Sequence, residues 1–339
     1  MRILQVIAAA GLAALGALAA VHAEAQAPAE SSISSPWAKY CGRELCFTGG
    51  EAHAGQQVFA AVLIEPENES RKRFRIVLPA RLQLQSGTRL VIDSDPSING
   101  EYVTCAPNGG CIADYDATLG LVARLKTGRT LKIHALDLAN TPITFSLPLS
   151  DASGDGFRTA SEGPASTDPG AFAERQKKLM AYAHTLPDAP MRWEASTYSP
   201  WKKFCGKGQA LKGGEGCLTF KDGRDAAGQP VVAATLMEPA GDSGKLFRFT
   251  LPAPLLLRQG AHVAIDGQPP VGGAFFTCFG GGCMADVEAT PELVTKLKSG
   301  HMLQIEAVNL AGNTVTFPLP LDDASGNSFQ KANEGPAGR

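Results

Sequence analysis

Eight cysteines are the side chains of this 339-residue sequence with the clearest capacity for chemistry. They form four close pairs: Cys41 with Cys46, Cys105 with Cys111, Cys205 with Cys217, and Cys278 with Cys283. An even cysteine count is typical of a disulfide framework in an exported protein, whereas thiolates inside the cell bind metals or react. The first question is therefore which of these chemistries the spacing favours.

Loop length and local sequence favour different disulfides. A bond that closes a loop of some sixty residues stabilises a protein by ~4 kcal/mol, against ~2 kcal/mol for a short loop, which favours long cross-links. The glycines before Cys111 and Cys283 instead form turns that bring neighbouring strand ends within bonding distance. We expect four local disulfides, with the long cross-links as the alternative. Because the spacings are not those of zinc knuckles or C-x-x-C redox motifs, we expect no metal site.

No constellation of residues predicts an enzyme. The sequence has no G-x-S-x-G, no H-E-x-x-H, no Walker loop and no G-x-G-x-x-G after a strand. Asp93 and Asp266 correspond to each other, as do Asp114 and Asp286, but none has an obvious acid–base partner, so we interpret all four as turn or capping residues. We expect no catalytic residue and no cofactor.

Trp37 and Trp201 each precede a cysteine by the same short interval. Packing of the indole against a disulfide is the ordinary explanation. An exposed aromatic surface that contacts a partner is the alternative, and it makes Trp37 and Trp201 the candidate aromatic contact residues.

These residues recur because the chain repeats itself. Residues 74–93 return as residues 247–266 with half of the positions identical, and the likeness continues through the cysteines to both C-terminal segments. A period this long predicts two domains rather than a solenoid. We place the first copy at residues 34–165 and the second copy at residues 198–339. Residues 166–197 are the linker between them, in which we expect a helix over residues 171–184.

Within each copy, short apolar or alternating segments separated by turn residues predict strands. In the first copy these are residues 58–64, 74–78, 89–92, 131–136 and 143–147. The clearest helix begins after Thr290, a good N-cap, with Pro291 at its first position, and ends at Gly300. Residues 116–128 are its counterpart in the first copy. The fold class is therefore all-β, with two tandem β-sandwich-like domains that each carry a short helix and two disulfides.

Composition and the N-terminus indicate where the protein acts. Lys and Arg number 31 against 33 Asp and Glu, and no basic block is present, so nucleic acid is excluded as a partner. An apolar run over residues 3–21 followed by small residues predicts a signal peptide over residues 1–23, with no later membrane span. We expect a periplasmic or secreted protein.

Both copies carry the same ordered motifs: Trp-x3-Cys, FRxxLPAxLxLxxG, the close cysteine pair followed by Ala-Asp, Leu-Lys-x-Gly, and a closing Phe-x-Leu-Pro-Leu run. This ordered set resembles the invasion-associated locus B (IalB) family. The resemblance implies an exported bacterial envelope protein associated with host-cell invasion, with no catalytic residues to carry over. The family usually has one such domain, so the tandem duplication is a departure.

Together these observations predict an exported, non-enzymatic factor with two binding modules for an unknown protein or cell-surface ligand. Two modules joined by a linker would bind a repeated target with avidity. The alternative is a periplasmic envelope-maintenance or chaperone-like protein, which would stay inside the cell envelope.

Overall fold

The structure is a computed structural model that describes residues 32–42, 45–54, 57–67, 71–106, 110–150, 156–165, 174, 193–207, 211, 214–241, 244–279 and 282–337. The predicted signal peptide, residues 1–23, lies outside the described residues. So does the predicted linker helix, residues 171–184, except for Glu174. No helix in the described part of the chain is long and apolar enough to cross a membrane.

The described residues of the first copy form nine strands, two α-helices and one 3-10 helix. The strands are β1 (Ser32–Cys41), β2 (Leu45–Ala54), β3 (Gln57–Pro66), β4 (Arg73–Leu78), β5 (Thr88–Ile92), β6 (Ile98–Cys105), β7 (Cys111–Asp116), β8 (Thr130–Leu136) and β9 (Pro142–Pro148). The helices are α1 (Leu119–Thr127), α2 (Gly156–Glu162) and the first 3-10 helix (Leu84–Ser86).

The second copy repeats this series. Its strands are β10 (Thr197–Tyr198), β11 (Lys202–Lys207), β12 (Glu215–Arg224), β13 (Pro230–Pro239), β14 (Leu246–Leu251), β15 (Ala261–Ile265), β16 (Val271–Phe279), β17 (Gly282–Glu288), β18 (Met302–Val308), β19 (Thr314–Pro320), β20 (Asp322–Asp323) and β21 (Gly326–Asn327). Its helices are α3 (Pro291–Ser299), α4 (Ser328–Glu334) and the second 3-10 helix (Leu257–Gln259).

Both copies have the same antiparallel topology. The strand order is β1-β2-β3-β4-β7-β6-β5-β8-β9 in the first copy and β12-β13-β14-β17-β16-β15-β18-β19 along the corresponding path of the second. Strand β6 pairs with β5 at its start and with β7 at its end, so it belongs to both sheets of the sandwich. Alternating residues of these strands face a common apolar core. The predicted fold class, two all-β sandwich-like domains with two disulfides each, is confirmed.

The predicted helix is present with the expected ends. The Thr290 side chain accepts a hydrogen bond from the Leu293 amide at 3.3 Å, and Gly300 is the C-cap. Its counterpart α1 is capped in the same way by Thr118. Each helix buries two leucines against its own sheets, which fixes it in place despite its nine-residue length.

Each copy also ends in a short helix that was not predicted. Helices α2 and α4 contribute Phe157 and Phe329, which are fully buried. Each phenylalanine meets the tryptophan of its own copy edge-on, with ring centroids 4.9 Å apart. The C-terminal segment of each copy therefore closes the end of its core.

Candidate functional site

The two copies face each other across a cleft of about 870 Å³. Residues 84–89 and 99–102 line it from the first copy, and residues 257–260, 262 and 272–275 line it from the second. These are corresponding segments: in each copy they comprise the 3-10 helix and parts of the two strands that follow. The two sides of the cleft are thus formed by the same local structure, one from each copy.

Packing across the boundary is reciprocal. The first 3-10 helix packs against β16, and the second 3-10 helix packs against β6. Such an arrangement, in which a surface meets its own counterpart, is the isologous contact of a two-fold dimer. Here both partners belong to one chain, so corresponding surfaces of its two copies meet each other.

A glycine after each 3-10 helix makes the close turn into the cleft possible. Gly87 and Gly260 have φ of 61° and 65°, in the left-handed region. A Cβ at Gly87 would lie 2.5 Å from the carbonyl oxygen of Gly100, and one at Gly260 would lie 2.6 Å from that of Gly273. Side chains at either position would therefore push apart the two strands that form the cleft wall.

Among the described residues, an ion pair and a backbone hydrogen bond join the copies at this boundary. Arg258 Nε lies 2.9 Å from Glu101 Oε2, and the backbone amide of Arg81 donates to the carbonyl oxygen of Cys278 at 2.9 Å. Neither contact is repeated by symmetry, because the sequence has Ala274 in the place of Glu101 and Pro254 in the place of Arg81. The two halves of the cleft therefore have the same backbone structure but carry different charges.

The charges give the cleft a polar and partly cationic character. Arg89 and Arg258 are exposed in its walls. A second groove of about 690 Å³ shares Glu101 and Arg258 with the cleft and continues along the first copy to Arg71 and Arg73, which are also exposed. Glu101, Asp114 and Asp116 also line this groove, so its three arginines are accompanied by three carboxylates. In the cleft, the exposed guanidinium of Arg89 suits a ligand that carries carboxylate, sulfate or phosphate groups.

Two buried tyrosines lie beneath the first-copy wall. Burial raises the pKa of Tyr115 to about 12, and its hydroxyl lies 2.5 Å from Thr88 Oγ1. Burial, with a smaller effect of Tyr115, also raises the pKa of Tyr102 above its usual range. Both phenols are therefore neutral at physiological pH. The Tyr102 hydroxyl contacts no hydrogen-bond partner among the described residues, and Phe275 takes its place in the second copy.

The interpretation of Asp114 and Asp286 as turn or capping residues was wrong. Both lie within strands, where each pairs with an arginine of the adjacent strand. Arg75 bonds Asp114 through Nε and Nη2, both at 2.7 Å, and Arg248 bonds Asp286 with the same geometry and distances. Bidentate pairs of this kind are strong and directional, so they fix the register of the strands on which they lie.

Asp93 and Asp266, by contrast, are turn residues as expected. Asp93 adopts a φ of 52°, and its carboxylate accepts hydrogen bonds from the amides of Arg129 and Thr130 at about 3 Å. Asp266 does the same for His301 and the residue after it. Each carboxylate thus joins the end of one strand to the start of another.

The cysteines form four local disulfides: Cys41–Cys46, Cys105–Cys111, Cys205–Cys217 and Cys278–Cys283. The Sγ atoms of Cys105, Cys278 and Cys283 lie within 4.8 Å of one another, the only metal-like spacing of His, Cys and acidic groups in the part of the chain that the structure describes. Since each of these sulfurs is already bonded to another sulfur, none is a thiolate available to a metal.

The candidate aromatic contact residues are packed inside their copies. Trp201 is only 6% exposed, and Trp37 is partly buried. The Trp37 indole donates to the carbonyl oxygen of Pro148 at 2.7 Å, and Trp201 donates to that of Pro320 at 3.0 Å. Their rings contact Phe157 and Phe329, and neither tryptophan lines the cleft.

Neither His134 nor His301 belongs to a hydrolytic triad. His134 Nδ1 lies 2.8 Å from Thr144 Oγ1, and His301 Nδ1 lies 2.5 Å from Asp322 Oδ2. Neither ring joins a hydroxyl to a carboxylate, which is the arrangement that activates a nucleophile. Burial lowers the pKa of His134, with Arg89 and Lys132 adding to the effect.

Sequence reasoning missed the cleft. The residues that line it appeared only as part of the repeat, and nothing local shows that the two copies meet there. One signal was present: a leucine and a glycine recur around the 3-10 helix of each copy, at Leu84 and Gly87 and at Leu257 and Gly260. Repeated glycine after a short apolar segment indicates a shared turn, but not its partner surface.

Comparisons with known proteins agree with the repeat. The family model described as invasion associated locus B (IalB) protein matches the chain twice, over residues 41–164 and 201–336. Invasion protein B homologues from Brucella abortus strain 2308 and from Brucella abortus biovar 1 strain 9-941 are each 32% identical over 146 residues, which is 42% of this chain and 81% of each relative.

Among solved structures, invasion-associated protein B from Bartonella henselae is 20% identical to this chain. The match covers 41% of this chain and 91% of that protein, with a TM-score of 0.35.

Proposed function

Because this chain belongs to the invasion-associated locus B family, we propose that it is an exported, non-enzymatic factor whose two copies jointly bind a protein or cell-surface ligand in the cleft between them. The observation that carries this proposal is the cleft itself, a concave surface of about 870 Å³ lined by corresponding segments of both copies. Concave surfaces with convergent polar groups are the usual location of ligand sites.

Export is supported by two observations. Residues 1–23 have the pattern of a signal peptide, and all eight cysteines are paired in disulfides, which persist in oxidising compartments such as the periplasm and the cell exterior. The proposal therefore places the mature protein in the periplasm or outside the cell, with a new N-terminus near Glu24.

A binding role is supported by the chemistry of the cleft and by the relatives. The relatives are named as invasion proteins and not as enzymes. The buried tyrosines have raised pKa values and are neutral, and neither His134 nor His301 joins a hydroxyl to a carboxylate. Exposed Arg89 and Arg258 offer charge-assisted hydrogen bonds, which suit recognition of an acidic ligand.

Binding of the labelled mature protein to host cells tests the site. The variant Arg89→Glu/Arg258→Glu reverses two charges in the cleft. The matched control, Lys207→Glu/Arg224→Glu, reverses two exposed charges in the second copy, which are also engaged in surface ion pairs. Both variants change the net charge equally. We expect at least a tenfold loss of affinity for the cleft variant and less than a twofold change for the control.

Equal losses would show that net charge alone governs binding, and unchanged binding by both variants would contradict the assignment of the cleft. Fractionation of the producing cells tests the compartment, since intact mass of the mature chain reports both cleavage and the eight hydrogens lost to four disulfides. Complete retention within the envelope would contradict host binding and favour envelope maintenance.

A further inference from the structure

Two disulfides from different copies meet at the boundary. Cys105–Cys111 joins the ends of β6 and β7, and Cys278–Cys283 joins the corresponding ends of β16 and β17. The Sγ atom of Cys105 lies within 4.8 Å of the Sγ atoms of both Cys278 and Cys283. The reciprocal packing of the copies is what brings these bonds together, since each disulfide is local to its own copy.

The contact is buried and held in place. All four cysteines are between 0% and 1% exposed. The amide of Arg81 donates to the carbonyl oxygen of Cys278, which fixes the backbone of one disulfide against the first copy. The other two disulfides, which include the exposed Cys41, do not share this cross-copy contact.

We propose that this disulfide pair is a site of thiol–disulfide exchange that cross-links the two copies through Cys105. A small monothiol, as its thiolate, attacks one sulfur of Cys278–Cys283; it forms a mixed disulfide with that cysteine and releases the other as a thiolate. The released thiolate attacks Cys105, forms a bond between the copies, and displaces Cys111 as a thiolate that takes up a proton. Two disulfides are present before and after, so no oxidant is needed.

Proximity favours the second step strongly over the first. The sulfur of the freed thiolate lies within 4.8 Å of the Cys105 Sγ atom, so its attack is intramolecular. The external thiol, by contrast, can reach the buried disulfide only when the boundary opens locally. We therefore expect entry to be slow and cross-linking to follow it rapidly. The cross-link would hold the two walls of the cleft together covalently.

Tryptic digestion distinguishes the two sets of bonds. Residues 90–124 and residues 259–296 each lack internal lysine and arginine, so Cys105–Cys111 and Cys278–Cys283 each close a loop within one peptide. Exchange joins the two peptides to each other. The full chain is incubated with reduced glutathione, quenched with an alkylating agent, digested without reduction and analysed by mass spectrometry.

We expect the joined peptide to appear as the native loops disappear, at ten times or more the yield of any cross-link from Cys41, Cys46, Cys205 or Cys217. Its abundance should be negligible without glutathione and in the variant Cys105→Ser/Cys111→Ser. The proposal would be overturned if the digest contained only native loops and singly alkylated or glutathionylated peptides, and no joined peptide. The yield comparison within the native chain remains decisive even if that variant does not fold.

Discussion

The paired Arg–Asp interactions offer a test in which one copy is the control for the other. Arg75 and Asp114 have side chains only 5% and 11% exposed, whereas Arg248 and Asp286 are 24% and 21% exposed. The bond distances are the same in both copies. Any difference in energetic effect must therefore come from the surroundings of the pair and not from its geometry.

Asp114→Ala removes both acceptors and leaves the Arg75 guanidinium buried. One of its nitrogens, Nη1, already has no hydrogen-bond partner within the described residues. Breaking a buried pair by removing one partner costs about 3–5 kcal/mol, because the remaining charge is uncompensated. Asp286→Ala should cost about 1–2 kcal/mol, between the values for buried and exposed pairs, since water reaches Arg248 and its guanidinium stays over the Phe276 ring, 4.4 Å from the centroid.

Hydrogen-exchange mass spectrometry measures both effects in one chain, because peptides from β4 and β7 report on the first copy and peptides from β14 and β17 on the second. A loss of 3 kcal/mol accelerates exchange through opening by about 100-fold, and 1–2 kcal/mol by about tenfold. Asp114→Asn keeps one acceptor, so it should accelerate exchange less than Asp114→Ala does. Equal effects of the two alanine variants, or a larger effect of Asp286→Ala, would refute the reasoning from burial.

Two further predictions concern pH and packing. The hydrogen bond to Asp322 and the negative charge of Asp322 raise the pKa of His301. This ion pair therefore stabilises the fold at low pH, and its contribution is lost as the pH rises through the raised pKa. Burial lowers the pKa of His134. Histidine NMR titration should place the midpoint of His301 above ~6.5 and that of His134 below it, and Asp322→Asn should return His301 towards the ordinary value. Gly100→Ala should destabilise the protein by about 1–3 kcal/mol, since its Cβ would lie 2.4 Å from a buried tyrosine ring, whereas Gly272→Ala, with its nearest neighbour at 3.7 Å, should change stability by less than about 0.5 kcal/mol in urea unfolding.

Features encoded by neighbouring residues could be predicted from the sequence. The helix after Thr290 depends on a cap, a proline and a glycine within eleven positions, and all three act locally. The same holds for the strands and for the turn aspartates Asp93 and Asp266. The local disulfides follow from short glycine-containing turns, although the energetic argument from loop length favoured other pairings.

Features that depend on the tertiary fold could not be predicted. The partner of Asp114 is 39 residues away in the sequence and becomes its neighbour only because β4 pairs with β7. The seven-residue helix α2 is too short to show a period and is stabilised by the burial of Phe157. The cleft requires the copies to meet through matching faces, and that contact has no sequence signature in either copy alone.

The broken symmetry of the boundary also distinguishes the possible pairings of the two halves. Two first copies would place Glu101 opposite Gln85, and two second copies would place Arg258 opposite Ala274, so only the mixed pair forms the ion pair. Like pairing of second copies would in addition lose the amide donor, because Pro254 has none. At these two contacts, the duplicated sequence therefore favours the pairing of a first copy with a second copy over the pairing of two like copies.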